Sequence, residues 1–120
     1  MTLHSRIKRI NEEVRDALAD IIMREVKDPR LAHGMVTVSN VAVSKDLHFA
    51  QVWVSIFGSE AEQQTAIEGL NHSSKFIKHA LGQRVVLKNI PELAFKLDTS
   101  FAYADKINRM LKELGTPKQS

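Results

Sequence analysis

The sequence predicts an α+β domain in which a three-stranded sheet carries its helices on one face. Three observations lead there. Apolar residues recur at three- and four-residue steps in Ser5–Val26, in the stretch beginning at Ser59 and after Ser100, as amphipathic helices require. They alternate, or nearly so, in Met35–Val43, Leu47–Phe57 and Leu93–Leu97, as half-buried strands require. With 120 residues there is enough chain for one core and not for two, so every apolar stripe must converge on the same interior.

Ser5 to Val26 places Ile7, Ile10, Val14, Leu18, Ile21 and Ile22 on one stripe, with Ser5 as the expected N-cap and Asp28-Pro29 as the stop. In Met35–Val43 the residues Val36 and Val38 have one strand parity and Val41 and Val43 the other, which predicts a bulge near Ser39-Asn40. Ser44-Lys45-Asp46 is a turn, and Leu47–Phe57, with Ala50, Val52, Val54 and Ile56 on one face, completes an antiparallel hairpin. Gly58 ends that strand. Ser59-Glu60-Ala61-Glu62 has the pattern of a capping box and opens a helix towards Leu70. The polar run Asn71-His72-Ser73-Ser74 interrupts it, and Lys75–Leu81 resumes, with Gly82 as a stop. Pro91 precedes the strand Leu93–Leu97. Ser100 is positioned to cap a last helix to Leu114, with Ala104, Ile107, Met110, Leu111 and Leu114 on one side, and residues 115–120 are expected to fray. Val54, Ile67, Ile77 and Phe95 are the expected heart of the core.

Composition narrows the function. Hydrophobic residues make up 43% and charged residues 26%, as in an ordinary folded domain. The chain has no cysteine, which excludes a disulfide framework, thiolate zinc ligation and a cysteine nucleophile. No run approaches a membrane span, and the basic start, Met1–Ile10, is not followed by a signal-peptide apolar stretch, so a cytoplasmic protein is expected. The five histidines, at 4, 33, 48, 72 and 79, show no metal-ligand spacing, and no cofactor is expected. There is no Gly-rich phosphate loop and no recognisable nucleophile motif, so the chain is not expected to be an enzyme.

The charges, net +3, are segregated. Between Asn71 and Lys96 the bases Lys75, Lys78, Arg84, Lys88 and Lys96 face a single acid, Glu92; Glu60, Glu62 and Glu68 precede them with no base, and Arg6, Lys8 and Arg9 form a second cluster. A polyanion senses such a distribution. At the helix break, Ser73 and Ser74 offer hydroxyls and backbone N–H groups with Lys75 and Lys78 a turn further on, which suits phosphate. An ordinary interhelical turn beside a solvated basic face fits the same residues. The candidate set for binding a polyanion such as a nucleic acid is therefore Ser73, Ser74, Lys75, Lys78, Arg84 and Lys88, with Arg6, Lys8 and Arg9. Aromatic residues are few, and Trp53, of opposite parity to Val52 and Val54, is read as sitting at the core edge, so recognition is expected to rest on backbone and shape rather than stacking.

Several short motifs occur in a fixed order: Arg6-Ile7-x-x-Ile10-Asn11-Glu12, Lys27-Asp28-Pro29-Arg30, Val36-Thr37-Val38-x-x-Val41-x-Val43-Ser44-x-Asp46-Leu47, Ala50-x-Val52-x-Val54-Ser55, Phe76-Ile77-Lys78-x-x-Leu81-Gly82, Pro91-Glu92-Leu93-x-Phe95 and Asp98-x-Ser100. In these the chain, from about Arg6 to Leu114, resembles the ribosome-binding factor A family of bacterial small-subunit maturation factors. The resemblance implies a type II KH-like fold. It also implies binding to the immature small ribosomal subunit and its ribosomal RNA, assistance to late RNA processing and folding, and support of growth in the cold. No membrane role, nucleotide or metal is implied, and a monomer is expected. The family carries Ala-x-Gly at a kink where this chain has Ser73-Ser74-Lys75. The break is thus expected at or just before Ser73-Ser74, with Lys75 already helical, its side chain outward, and a serine hydroxyl capping the second helix. Two other classes of function remain to be weighed: an RNA-cleaving or RNA-modifying enzyme, and a protein–protein adaptor that uses the edge of the hairpin.

Overall fold

The first apolar stripe forms helix α1, Leu3–Arg24, which buries Val14, Leu18, Ile21 and Ile22. The computed structural model describes residues 3–31, 35–100 and 109–110. The helix starts two residues before Ser5, so Ser5 lies inside it and is not its N-cap, and it ends two residues short of Val26. A single 3-10 turn, Pro29–Leu31, follows. Asp28 accepts from the Arg30 backbone N–H at 2.9 Å and holds the guanidinium with both oxygens, at 2.9 and 2.7 Å. This turn lies against Gly69, where a Cβ would stand 3.0 Å from the Arg30 Cβ; glycine permits the close approach.

Strand β1, Met35–Val43, and strand β2, Phe49–Phe57, pair antiparallel, from Met35 opposite Phe57 to Val43 opposite Ala50. The register slips between Val38 and Asn40. That one-residue bulge reverses the parity of the strand, so Val38, Val41 and Val43 are all buried although they do not alternate in sequence. β2 begins two residues later than expected because Leu47 belongs to the turn, with φ +64. The turn is a type I turn followed by a left-handed residue, closed by Leu47 N–H to Ser44 O at 2.9 Å and Ser44 N–H to Phe49 O at 2.8 Å.

Ser59 and Glu62 form the expected capping box, and helix α2 runs over Glu60–His72, two residues beyond Leu70. Helix α3, Ser74–Gly82, follows after a break confined to Ser73. Strand β3, Glu92–Leu97, lies parallel to β2, giving the sheet order β1-β2-β3 with β2 in the centre. The helices cover one face. Val52, Val54, Leu70, Ile77, Leu81 and Phe95 meet α1 in a single core.

Both outer edges of the sheet are bound by asparagine side chains. On β1, Val43 N–H donates to Asn11 Oδ1 and Val41 N–H to Asn40 Oδ1, both at 2.9 Å. On β3, Phe95 N–H donates to Asn71 Oδ1 at 2.9 Å and Asn71 Nδ2 donates to Phe95 O at 3.2 Å. After β3, the Asp98 carboxylate accepts from the Ser100 N–H and hydroxyl, at 3.0 and 2.6 Å; the groups that a Ser100 cap would hold lie outside the described residues. Ser100, Arg109 and Met110 are helical; the remainder of the expected last helix and the 115–120 tail lie outside the described residues.

Candidate nucleic-acid interface

The basic residues of the sequence fall into three environments. Arg6 and Lys88 line one open hollow of about 690 Å³, between the start of α1 and the β1–β2 turn, and Lys45 joins them there. Lys8 and Arg9 are exposed on the same helix but do not line the hollow. Lys45 was not among the residues picked from the sequence. Its signal is its place in the turn, which is held rigidly: Asp46 accepts from the His48 backbone N–H at 3.0 Å and the Ser44 hydroxyl at 2.7 Å, and these bonds keep its carboxyl below the usual range. The Asn89 amide donates to Asp46 O at 3.3 Å and joins the turn to the connection before β3.

Lys75 and Lys78 line a second hollow with His79, Gly82, Gln83, Ile90 and Glu92. Residues of the 83–90 connection line both hollows. The Lys78 ammonium lies 2.6 Å from a Glu92 oxygen, and chiefly that contact, with the nearby charge of Lys75, depresses the Glu92 carboxyl. Lys75 is exposed and forms no ion pair with any of the described residues.

Arg84 has a different setting. Its guanidinium bridges Asp20 and Glu25 on and just beyond α1, tying the end of α3 to the first helix. The Asp20 carboxyl is lowered first by Arg84 and then by Arg24. Of the proposed cations, Arg84 is answered by two carboxylates, Asp20 and Glu25, and Lys78 by one, Glu92.

At the kink the expectations divide. Lys75 is helical and outward, and its φ is negative, since Leu47 is the only described non-glycine residue with positive φ. The serine cap is absent: Ser73 makes no side-chain bond to the start of α3. Instead its N–H is shared between Gly69 O at 3.0 Å and Leu70 O at 3.1 Å, and its carbonyl accepts from Ile77 N–H at 2.9 Å. Ser73 is thus a hydrogen-bonded link between two nearly continuous helices, so its N–H is not available to a phosphate. Ser74 is half-buried beside it.

A family profile described as Ribosome-binding factor A matches residues 6–111. The chain belongs to the ribosome-binding factor A family. A Moorella thermoacetica family member is 46% identical over 111 residues, covering 92% of this chain and 91% of the relative. A Chlamydia pneumoniae member is 40% identical over 120 residues and covers both chains completely. The crystal structure of ribosome-binding factor A from Thermus thermophilus superposes with a TM-score of 0.66 at 30% identity, over 76% of this chain and 94% of that one. A homology model of Thermus thermophilus ribosome binding factor A, as fitted into the cryo-EM map of a complex with the 30S subunit, is also similar, at a TM-score of 0.61 and 30% identity. The fold is the type II KH-like α+β fold of the family.

Among the described residues no group of three or more His, Cys, Asp or Glu side chains is placed to hold a metal ion, and no helix is long and apolar enough to cross a membrane. Within the family's fold, then, the described surface carries exposed cations around one connection and a sealed kink.

Proposed function

We propose that the protein binds the immature small ribosomal subunit through its ribosomal RNA and acts stoichiometrically, as a cytoplasmic monomer, in late RNA processing and folding. The observation that carries this reading is the grouping of Arg6, Lys45 and Lys88 on one side, and Lys75 and Lys78 on the other, around the 83–90 connection. A family relative placed on a 30S subunit supports the choice of partner. Preferential binding to one RNA arrangement shifts the population towards it without turnover. Such help matters most in the cold, when misfolded helices are slow to open, so loss of the protein is expected to slow growth at low temperature.

The adaptor alternative loses support at the sheet edges. A peptide adding to β1 or β3 needs free backbone groups, and those of Val41, Val43 and Phe95 are occupied by asparagines. Cosedimentation with free small subunits, large subunits and complete ribosomes tests the proposal. Selective retention on small subunits is expected; equal retention on all three, or none, overturns it, and turnover of a labelled RNA precursor by the pure protein favours the enzyme alternative.

A further inference from the structure

The face of the sheet opposite the helices carries a row of aromatic rings. β2 alternates without a break: Ala50, Val52, Val54 and Ile56 point into the core, and Phe49, Gln51, Trp53, Ser55 and Phe57 point away from it. Phe49 is 65% and Phe57 83% exposed, and Trp53 is half-buried. β2 is the central strand, so the rings run down the middle of the sheet. The rings pair across the strands with Glu92 at Phe49, Asn40 and Lys96 at Trp53, and Met35 at Phe57, while the positions between them carry small neighbours, Ala42 and Ala94 beside Gln51 and Thr37 opposite Ser55. Single exposed apolar residues are ordinary, whereas an aligned set on one flat surface marks a binding face.

The charges around the row indicate what binds. Lys96 pairs with Trp53 in the register and is exposed. The acid opposite Phe49, Glu92, is held by Lys78, and Asp98 is turned to Ser100. At the Phe49 end, Leu47 and His48, which precede Phe49 in the chain, line the hollow that holds Arg6, Lys45 and Lys88, three cations against the two acids Glu13 and Asp46. Planar apolar surfaces continuous with a cluster of cations complement a polyanion that exposes planar bases. Duplex RNA hides its base faces, so the match is to a single strand.

We propose that the open face of the sheet is a stacking platform for unpaired bases of single-stranded RNA, whose backbone crosses the basic hollow beside Phe49. The proposal rests on the RNA-binding reading above and adds to it a second surface with a different chemistry. Successive rings on the row are four residues apart, about 13 Å along a strand, so they receive bases that are not adjacent in the RNA.

The chain has a single tryptophan, which makes Trp53 its own reporter. The full-length protein is titrated with a short oligouridylate and with a blunt RNA duplex. Trp53 emission and the anisotropy of labelled RNA are followed together, beside the small-subunit cosedimentation. The expected result is quenching by the single strand and not by the duplex. Phe49→Ala with Phe57→Ala, both exposed and so tolerated by the fold, should keep the thermal midpoint and weaken oligouridylate binding by at least roughly thirtyfold, each lost ring contributing at least about fivefold. Binding by anisotropy with no change in Trp53 emission, or unchanged affinity in the double variant, overturns the platform. So does Trp53 emission that acrylamide cannot quench in the free protein, since the face would then be covered by the chain itself or by a second copy. If small subunits are still retained in those cases, the functional reading stands without the platform; if the parent protein binds neither subunits nor RNA, that reading fails first.

Discussion

Two arginine- and lysine-bearing positions only four residues apart should behave in opposite ways. Arg84 is spent on Asp20 and Glu25, whereas Lys88 is exposed at the edge of the basic hollow. Arg84→Ala should lower the thermal midpoint and leave the salt dependence of RNA binding unchanged. Lys88→Ala should do the reverse, keeping the midpoint and reducing the slope of log K against log salt by somewhat less than one unit. Melting curves and binding at several salt concentrations separate the two, and a shallower slope for Arg84→Ala would return that residue to the interface. At the kink, Lys75→Ala should remove one charge without cost to the helix. Lys75→Gly should remove the same charge and also destabilise by about 1 kcal/mol, because the residue sits in helical geometry with negative φ. A glycine variant more stable than the parent would contradict that geometry. Asp28 gives a pH signature. Its bonds to Arg30 hold it at about 2, below its ordinary 3.8. A carboxyl lowered in the folded state contributes stability above its unfolded value, and this is lost as pH falls from 3.8 through about 2. Asp28→Asn should therefore be less stable than the parent in urea near neutral pH, with the gap narrowing as pH falls below 3.8 and closing only below about 2. A gap of constant size would assign the loss to packing instead.

Individual elements differ in how far the sequence discloses them. The capping box at Ser59 and the alternation of β2 depend on neighbours a few residues away, and both are readable in advance. The valines of β1 signal their bulge because two pairs of opposite parity must both reach one core. Leu47 looks like the first residue of β2, since nothing local marks a leucine for a left-handed turn; closure of the turn by Ser44 and Asp46 decides it. The serine cap, a sound local expectation, does not form: Ser73 joins the two helices through its own N–H and C=O, and its side chain makes no bond to the start of α3. The edge clamp at Asn71 is invisible to any local pattern, as its partner lies on β3. Asn71→Ala should free both the N–H and the C=O of Phe95 and cost about 1–3 kcal/mol. It should also make the protein associate with itself as concentration rises, since β3 then offers a bare edge. Urea titration and sedimentation velocity measure the two effects, and a stable, monomeric Asn71→Ala protein would show that water replaces the amide. Phe95→Ala, by contrast, empties a core position that is 3% exposed and should cost about 3–5 kcal/mol.

For the molecule as a whole, the core was more legible than the surface. Val54, Ile67, Ile77 and Phe95 are all buried, as their periodicity requires. Charge segregation identified a basic region but could not tell a cation facing solvent from one facing Asp20, because that distinction depends on how α1 lies against α3. It also missed Lys45, which is brought to Arg6 and Lys88 by the packing of the turn against the first helix. The aromatic row on β2 was discounted for a related reason. Trp53 is half-buried, in keeping with a place at the core edge, and it is Phe49 and Phe57, at the two ends of the same outward parity, that the one-sided sheet leaves exposed.

The sheet's mixed pairing has a consequence for the order in which the molecule is made. β1 and β2 are joined by a tight turn, and Val43 meets Ala50 as soon as both have left the ribosomal exit tunnel. β3 is parallel to β2 and pairs Ala50 with Leu93, so two helices must be synthesised before that edge can close. Local pairs form in microseconds, while a nonlocal pair waits for the chain that supplies it. For that interval the nascent hairpin carries an unpaired β2 edge and the valines of an unfinished core. The vulnerable stage of this protein's life therefore comes during its own translation, and slowing elongation lengthens it.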